Sequence, residues 1–203
     1  MRKKIIFLGD SITRHYFNDV CSLLNENEVD ADIPGPWMSQ QPKQMRYLRN
    51  NKDILLENSV SIHFNFGLHS IKLPKKGHDP NVRRAPKEWF ETYERQLSEI
   101  IDYMKEIQIS NILFSNTTPS PKNYGMRKDL DVVILNEIAS RITSEKEIPY
   151  NDLYSYVKEH SDYPRLYRHP RRENNVHFNP VGCKYLSESL AKFVLENLHE
   201  KSI

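Results

Sequence analysis

The chain has 203 residues, 38% of them hydrophobic, with 29 Lys and Arg against 27 Asp and Glu for a net charge of +2. That length suits one domain, residues 1–203, with a proper core, and the near balance of charge gives no reason to expect nucleic acid or an anionic membrane as the main partner. No apolar run approaches a membrane span, the apolar part of "MRKKIIFLGDS" is too short for a secretion signal, and two distant cysteines, Cys21 and Cys183, point to a reducing compartment, so a cytoplasmic protein is expected.

Taken in chain order, Lys4 to Leu8 reads as a buried strand ended by Gly9-Asp10. Residues 12–25 then carry Ile12, Tyr16, Val20, Leu23 and Leu24 at helical spacing. A weaker strand from Val29 to Ile33 stops at the breaker Pro34-Gly35-Pro36. A polar helix is expected over about 40–52, with Met45 and Leu48 inward. "VSIHFNFG", residues 60–67, alternates like a strand, and the charged, proline-bearing stretch 72–85 is a long loop.

Pro86 opens the clearest helix. Trp89, Phe90, Tyr93, Leu97, Ile100, Ile101, Met104 and Ile107 trace one apolar stripe along it, read here as core. "NILFSN", 111–116, is another buried strand, followed by the loop "TTPSPKNYG" and a helix from Asp129 to Lys146. A short strand from Ile148 to Asn151, a helical turn near Leu153 and an irregular stretch over 161–176 come next. The last helix, Pro180 to Leu198, is expected to bury Tyr185, Leu186, Leu190, Phe193, Val194 and Leu198. Strands alternating with helices predict an α/β fold: a three-layer α/β/α sandwich around a mainly parallel sheet of about five strands.

Ligands of such sheets gather in the loops beyond the carboxyl ends of the strands. Four polar clusters fall there or nearby: Gly9-Asp10-Ser11, Pro34-Gly35-Pro36, Asn65-Phe66-Gly67-Leu68-His69 and Asn174-Asn175-Val176-His177. Each has a plain reading. Ser11 could cap its helix, Gly35 could serve only a turn, and His69 and His177 could be satisfied histidines near the surface. His15, His63, His78, His160, His169 and His199 are read that way. Arg165, Arg168, Arg171 and Arg172 form either a solvated loop or a patch facing an anionic group. No set of His, Asp, Glu or Cys has the spacing of metal ligands, so no metal is expected.

Together, "GDSI" after the first strand, Gly35 after the second, "FNFGLHS" after the third and "NNVHFNPVG" before the last helix resemble the SGNH (GDSL-type) hydrolase superfamily, in the right order over essentially the whole chain. The resemblance implies a three-layer fold and a serine esterase without metal or cofactor. It makes Ser11 the nucleophile and His177 its base, with Asp10 and Asn65 in support. The oxyanion would be held by the N–H groups of Ser11 and Gly35 and by a third donor, His69, where the family usually has asparagine. Neutral imidazole still has one hydrogen to donate.

The family's acid, three residues before the histidine, is Asn174 here. An amide brings no charge to stabilise imidazolium, and in serine proteases that change costs about 10⁴ in turnover. Three outcomes stay open. His177 works in a dyad oriented by Asn174 or a backbone carbonyl; Glu173 supplies the carboxylate; or the scaffold only binds a ligand. The expected activity is hydrolysis of small acyl esters, acetyl foremost, on a small molecule or carbohydrate, with O-acyltransfer as the alternative on the same site.

Overall fold

The computed structural model describes residues 2–35, 38–58, 60–72, 84–120, 127–168 and 176–199. Strand β1 (Lys3–Leu8) ends in four consecutive buried residues, which requires cover on both faces of its sheet. β2 (Val29–Asp32) is an edge strand, β3 (Ser61–Phe64) and β4 (Ile112–Ser115) are buried throughout, and β5 (Tyr150–Asn151) is the other edge. The order is β2-β1-β3-β4-β5 and every pairing is parallel. The expected five-stranded α/β/α sandwich is the one observed.

Seven α-helices are found among the described residues: α1 (Ser11–Asn25), α2 (Gln41–Asn50), α3 (Lys52–Glu57), α4 (Lys87–Glu106), α5 (Asp129–Glu145), α6 (Leu153–Glu159) and α7 (Pro180–His199). α1 packs along α7 on one face of the sheet, while α4 packs against α2 and α5 on the other. The chain leaves β1 for β2 on one side and returns to β3 on the other side of β1. The crevice at the carboxyl ends of β1 and β3 is therefore the topological switch point, where ligands of open α/β sheets bind.

Local details differ from the expectations. The helix expected over 40–52 ends at Asn50, and a second helix that was not expected, α3, follows from Lys52; between them the Asn51 side-chain amide donates to Tyr47 O at 2.8 Å and competes for the backbone. The strand over 60–67 ends at Phe64 and is buried on both faces rather than alternating. The turn near Leu153 extends into α6, begun by Asp152, whose side chain accepts from Ser155 N–H. Tyr185 and Phe193 on α7, and Trp89 and Phe90 on α4, are only partly buried. His63 is no surface histidine. It is fully buried in β3, 2.7 Å from Ser115 Oγ through Nε2 and 4.7 Å from the Phe7 ring, and burial lowers its pKa from 6.5 to about 3.

Candidate active site

The turn after β1 is closed by a contact only glycine permits. A Cβ on Gly9 would lie 2.0 Å from Thr13 Oγ1. Asp10, not Ser11, is the N-cap of α1: its carboxylate accepts the Ile12 N–H at 2.8 Å, a strong interaction because the acceptor is charged and sits at a helix N-terminus. Ser11 is the first residue inside the helix, so its hydroxyl is not spent on capping. Ser11 Oγ lies 2.8 Å from His177 Nε2.

His177 reaches that position on a short strap tied to the segment before it. Arg168 N–H donates to His177 O at 2.9 Å, and Asn179 N–H donates to Leu166 O at 2.8 Å. Tyr167 stacks on Phe178 at 4.4 Å, and its hydroxyl donates to Pro119 O at 2.6 Å. Asn179 then starts α7, its side-chain oxygen accepting from Gly182 N–H. The Arg run divides: Arg168 donates Nε–H to Phe178 O beside the strap, Arg165 is exposed and paired with Asp162, and Arg171 and Arg172 lie outside the described residues.

Burial lowers the His177 pKa below 6.5; Asp10 opposes this, while Arg168 and Arg127 reinforce it. The imidazole is therefore neutral at pH 7, the state a base needs. The His15 ring packs against His177, centroids 4.9 Å apart at 67°. His15 is thus part of the site and not a plain surface histidine. Its place at i+4 from Ser11, on the same helix face, is the sequence signal that marks it.

The loop after β2 is drawn to the first one. Met38 N–H donates to Gly9 O at 3.0 Å, and the Arg14 guanidinium donates to the carbonyls of Pro34 and Gly35. Fully buried Gln44 donates to Met38 O at 2.7 Å and Asn65 O at 3.0 Å. Asn65 donates to Ser115 O and Asn116 O at 2.8 and 2.9 Å, and Asn116 to Tyr150 Oη and Asp152 Oδ1 at 2.8 and 2.6 Å. Three carboxamides in a row thus stitch the strand ends from β1 to β5. Sequence reasoning singled out only Asn65 among them.

His69 sits in a turn closed by Ser70 N–H donating to Gly67 O at 2.8 Å. Buried Arg127, also missed in the sequence, donates Nε–H to Leu68 O at 2.7 Å. His69 Nε2 is 4.0 Å from Asp10 Oδ2, too far for a hydrogen bond. Burial lowers its pKa, with Asp10 opposing and Arg127, Lys72 and Lys43 reinforcing. The structure brings together Ser11 with His177 and Asp10 with His69, and it ties the Gly35 loop to Gly9. Asn174 and Glu173 lie outside the described residues.

Beneath Asp10 the interior is filled: the cavity bounded by Asp10, Thr13, Tyr16 and Asn65 measures about 10 Å³, close to the least that admits a water. Among the described residues no group of three or more His, Cys, Asp or Glu side chains is arranged to hold a metal ion, and no helix is long and apolar enough to cross a membrane.

No protein-family model matches the chain, and no curated protein matches it significantly in sequence. Solved structures do. A lipase/acylhydrolase from Enterococcus faecalis superposes with a TM-score of 0.69 at 19% identity, covering 96% of this chain and 95% of that one. A member of the lipolytic protein G-D-S-L family from Veillonella parvula gives 0.68 at 19%, covering 94% and 97%. A catalytic mutant of an acetylxylan esterase from Geobacillus stearothermophilus gives 0.66 at 16%, covering 95% and 94%. At these identities the likeness establishes the fold, which is that of the SGNH (GDSL-type) hydrolases.

Proposed function

We propose that this chain is a serine esterase that removes small acyl groups, acetyl foremost, from the hydroxyls of a hydrophilic compound such as a carbohydrate. The observation that carries the reading is the 2.8 Å separation of Ser11 Oγ and His177 Nε2, groups from opposite ends of the polypeptide. A neutral imidazole at that distance takes the hydroxyl proton as Oγ attacks the ester carbonyl. The tetrahedral oxyanion is held by the N–H groups of Ser11 and Gly35 with His69 as third donor, each such donor being worth about 10²–10³ in turnover. Collapse releases the alcohol, which takes the proton from His177. A water, deprotonated by the same imidazole, then attacks the acyl-enzyme, and Ser11 Oγ leaves with that proton as the acid is freed.

Three further points support the reading. Asp10 caps the helix and so leaves the serine hydroxyl available. The loops that carry Ser11 and His69 follow β1 and β3, whose carboxyl ends flank the switch point of the sheet. Two neighbours in fold are named for lipase/acylhydrolase and acetylxylan esterase activity. With Asn174 in the sequence where the family has its acid, the working unit of this reading is the Ser11–His177 dyad.

The test is release of p-nitrophenol from its acetate, with fluorophosphonate labelling alongside. Ser11→Ala is expected to fall to the uncatalysed background and to lose the label. Equal rates in the two proteins, or an unlabelled wild type, would overturn the serine mechanism and leave a binding scaffold.

A further inference from the structure

The buried stripe of α4 is Tyr93, Leu97, Ile100, Ile101 and Met104. Beside it, Trp89, Thr92 and Gln96 recur at i, i+3 and i+7, on one face of the helix. All three are half-buried, neither core nor free surface. Their side chains line an open cavity of about 310 Å³ together with Gln40, Ser70 and Lys72. His69 lines the same cavity and lies 4.0 Å from Asp10, the residue before Ser11. His69 therefore touches both this cavity and the loop that carries Ser11, and the cavity's volume reaches the lower end of small-molecule pockets, about 300–1,000 Å³.

The chemistry of the lining selects the occupant. It offers one indole, two carboxamides, two hydroxyls, one imidazole and one ammonium. Among the described residues that line it there is no aliphatic side chain to receive an acyl tail and no carboxylate to receive a cation, and a single exposed lysine is a poor anion site. A pyranose ring fits this set. Its C–H face packs on an indole, a rigid apolar body with a polar tip. Its hydroxyls need partners that both donate and accept, which amides and hydroxyls do.

We infer that this cavity is a subsite for a neutral sugar residue of the ester-bearing substrate, with Trp89 as its stacking platform and Gln40 and Gln96 as its hydroxyl-reading groups. The inference rests on the esterase reading for its place in catalysis, but its test needs no turnover. Wild type and Ser11→Ala are titrated calorimetrically with xylotetraose, cellotetraose and chitotetraose, all unacetylated. Saturable binding of at least one is expected, equal in the two proteins. Trp89→Ala should weaken it by about tenfold or more, Gln96→Leu by a smaller factor, and Trp89→Tyr should restore most of it while controlling for misfolding. Absence of binding by all three sugars, or unchanged affinity in Trp89→Ala, would overturn the subsite. Loss of esterase activity in Ser11→Ala leaves this result untouched, and p-nitrophenyl acetate hydrolysis without sugar binding removes the subsite alone.

Discussion

His177 decides what the pair with Ser11 can do, and the net effect of its surroundings is to lower its pKa. Burial and the nearby guanidinium groups disfavour the imidazolium, while Asp10 is the carboxylate that opposes them. The base is active when neutral, so a depressed pKa extends activity to lower pH. The acid limb of kcat/KM for p-nitrophenyl acetate is expected to have its midpoint below 6.5, the ordinary histidine value. Asn174→Asp adds a carboxylate three residues before the imidazole. It should stabilise the imidazolium formed during attack, raise turnover at least severalfold, and move the acid limb to higher pH. A pH–rate profile of the two proteins checks both, and an unmoved limb would show that position 174 does not face His177.

At the scale of elements, the site depends on how the strap before α7 is held. Gly182 lies in the first turn of that helix, and a Cβ there would sit 2.3 Å from Leu166 O, a backbone atom that cannot swing aside. The same carbonyl accepts the Asn179 N–H, and two residues on Arg168 pairs with His177. Gly182→Ala therefore pushes the 3₁₀ turn Tyr163–Leu166 away from α7 and carries the strap with it. The expected result is a loss of about 1–3 kcal/mol of stability by urea unfolding. A fall in kcat should exceed the fraction of unfolded protein while KM changes little. Unchanged kcat in the folded variant would mean the strap is set elsewhere.

For the whole molecule, the central strand β3 carries a cost that depends on pH. His63 is neutral in the fold because burial holds its pKa at about 3, against 6.5 when unfolded. Between those values the unfolded chain binds more protons than the native one, so stability rises with pH and is lost as pH falls below about 6.5. The slope from this group is at most about 1.4 kcal/mol per pH unit. His63→Gln keeps a partner for Ser115 Oγ and removes the titration. It should cost stability at pH 7 yet flatten the decline between pH 6.5 and 4, read from urea midpoints at each pH. A parallel decline in both proteins would assign the acid sensitivity to other groups.

Apart from α3, the order of strands and helices was legible in the sequence, as were the parallel sheet and the polar blocks that follow its first three strands. They rest on local signals: apolar periodicity, Gly and Pro at element ends, and a short polar block after each of the first three strands. The chemistry within the site was not local. That Asp10 takes the cap and leaves Ser11 its hydroxyl, that His15 packs on His177, that Gln44 and Arg127 are buried to hold the loops, and that Trp89 leaves the core stripe for a cavity all depend on what distant segments bring alongside. Ser11 and His177 are 166 residues apart in the chain. Periodicity sets which face of an element is buried; only the packing of α1 against α7 and the crossing from β2 to β3 decide which polar side chains meet at that face, because a hydrogen bond or a pKa shift is set by the neighbour and not by the residue alone.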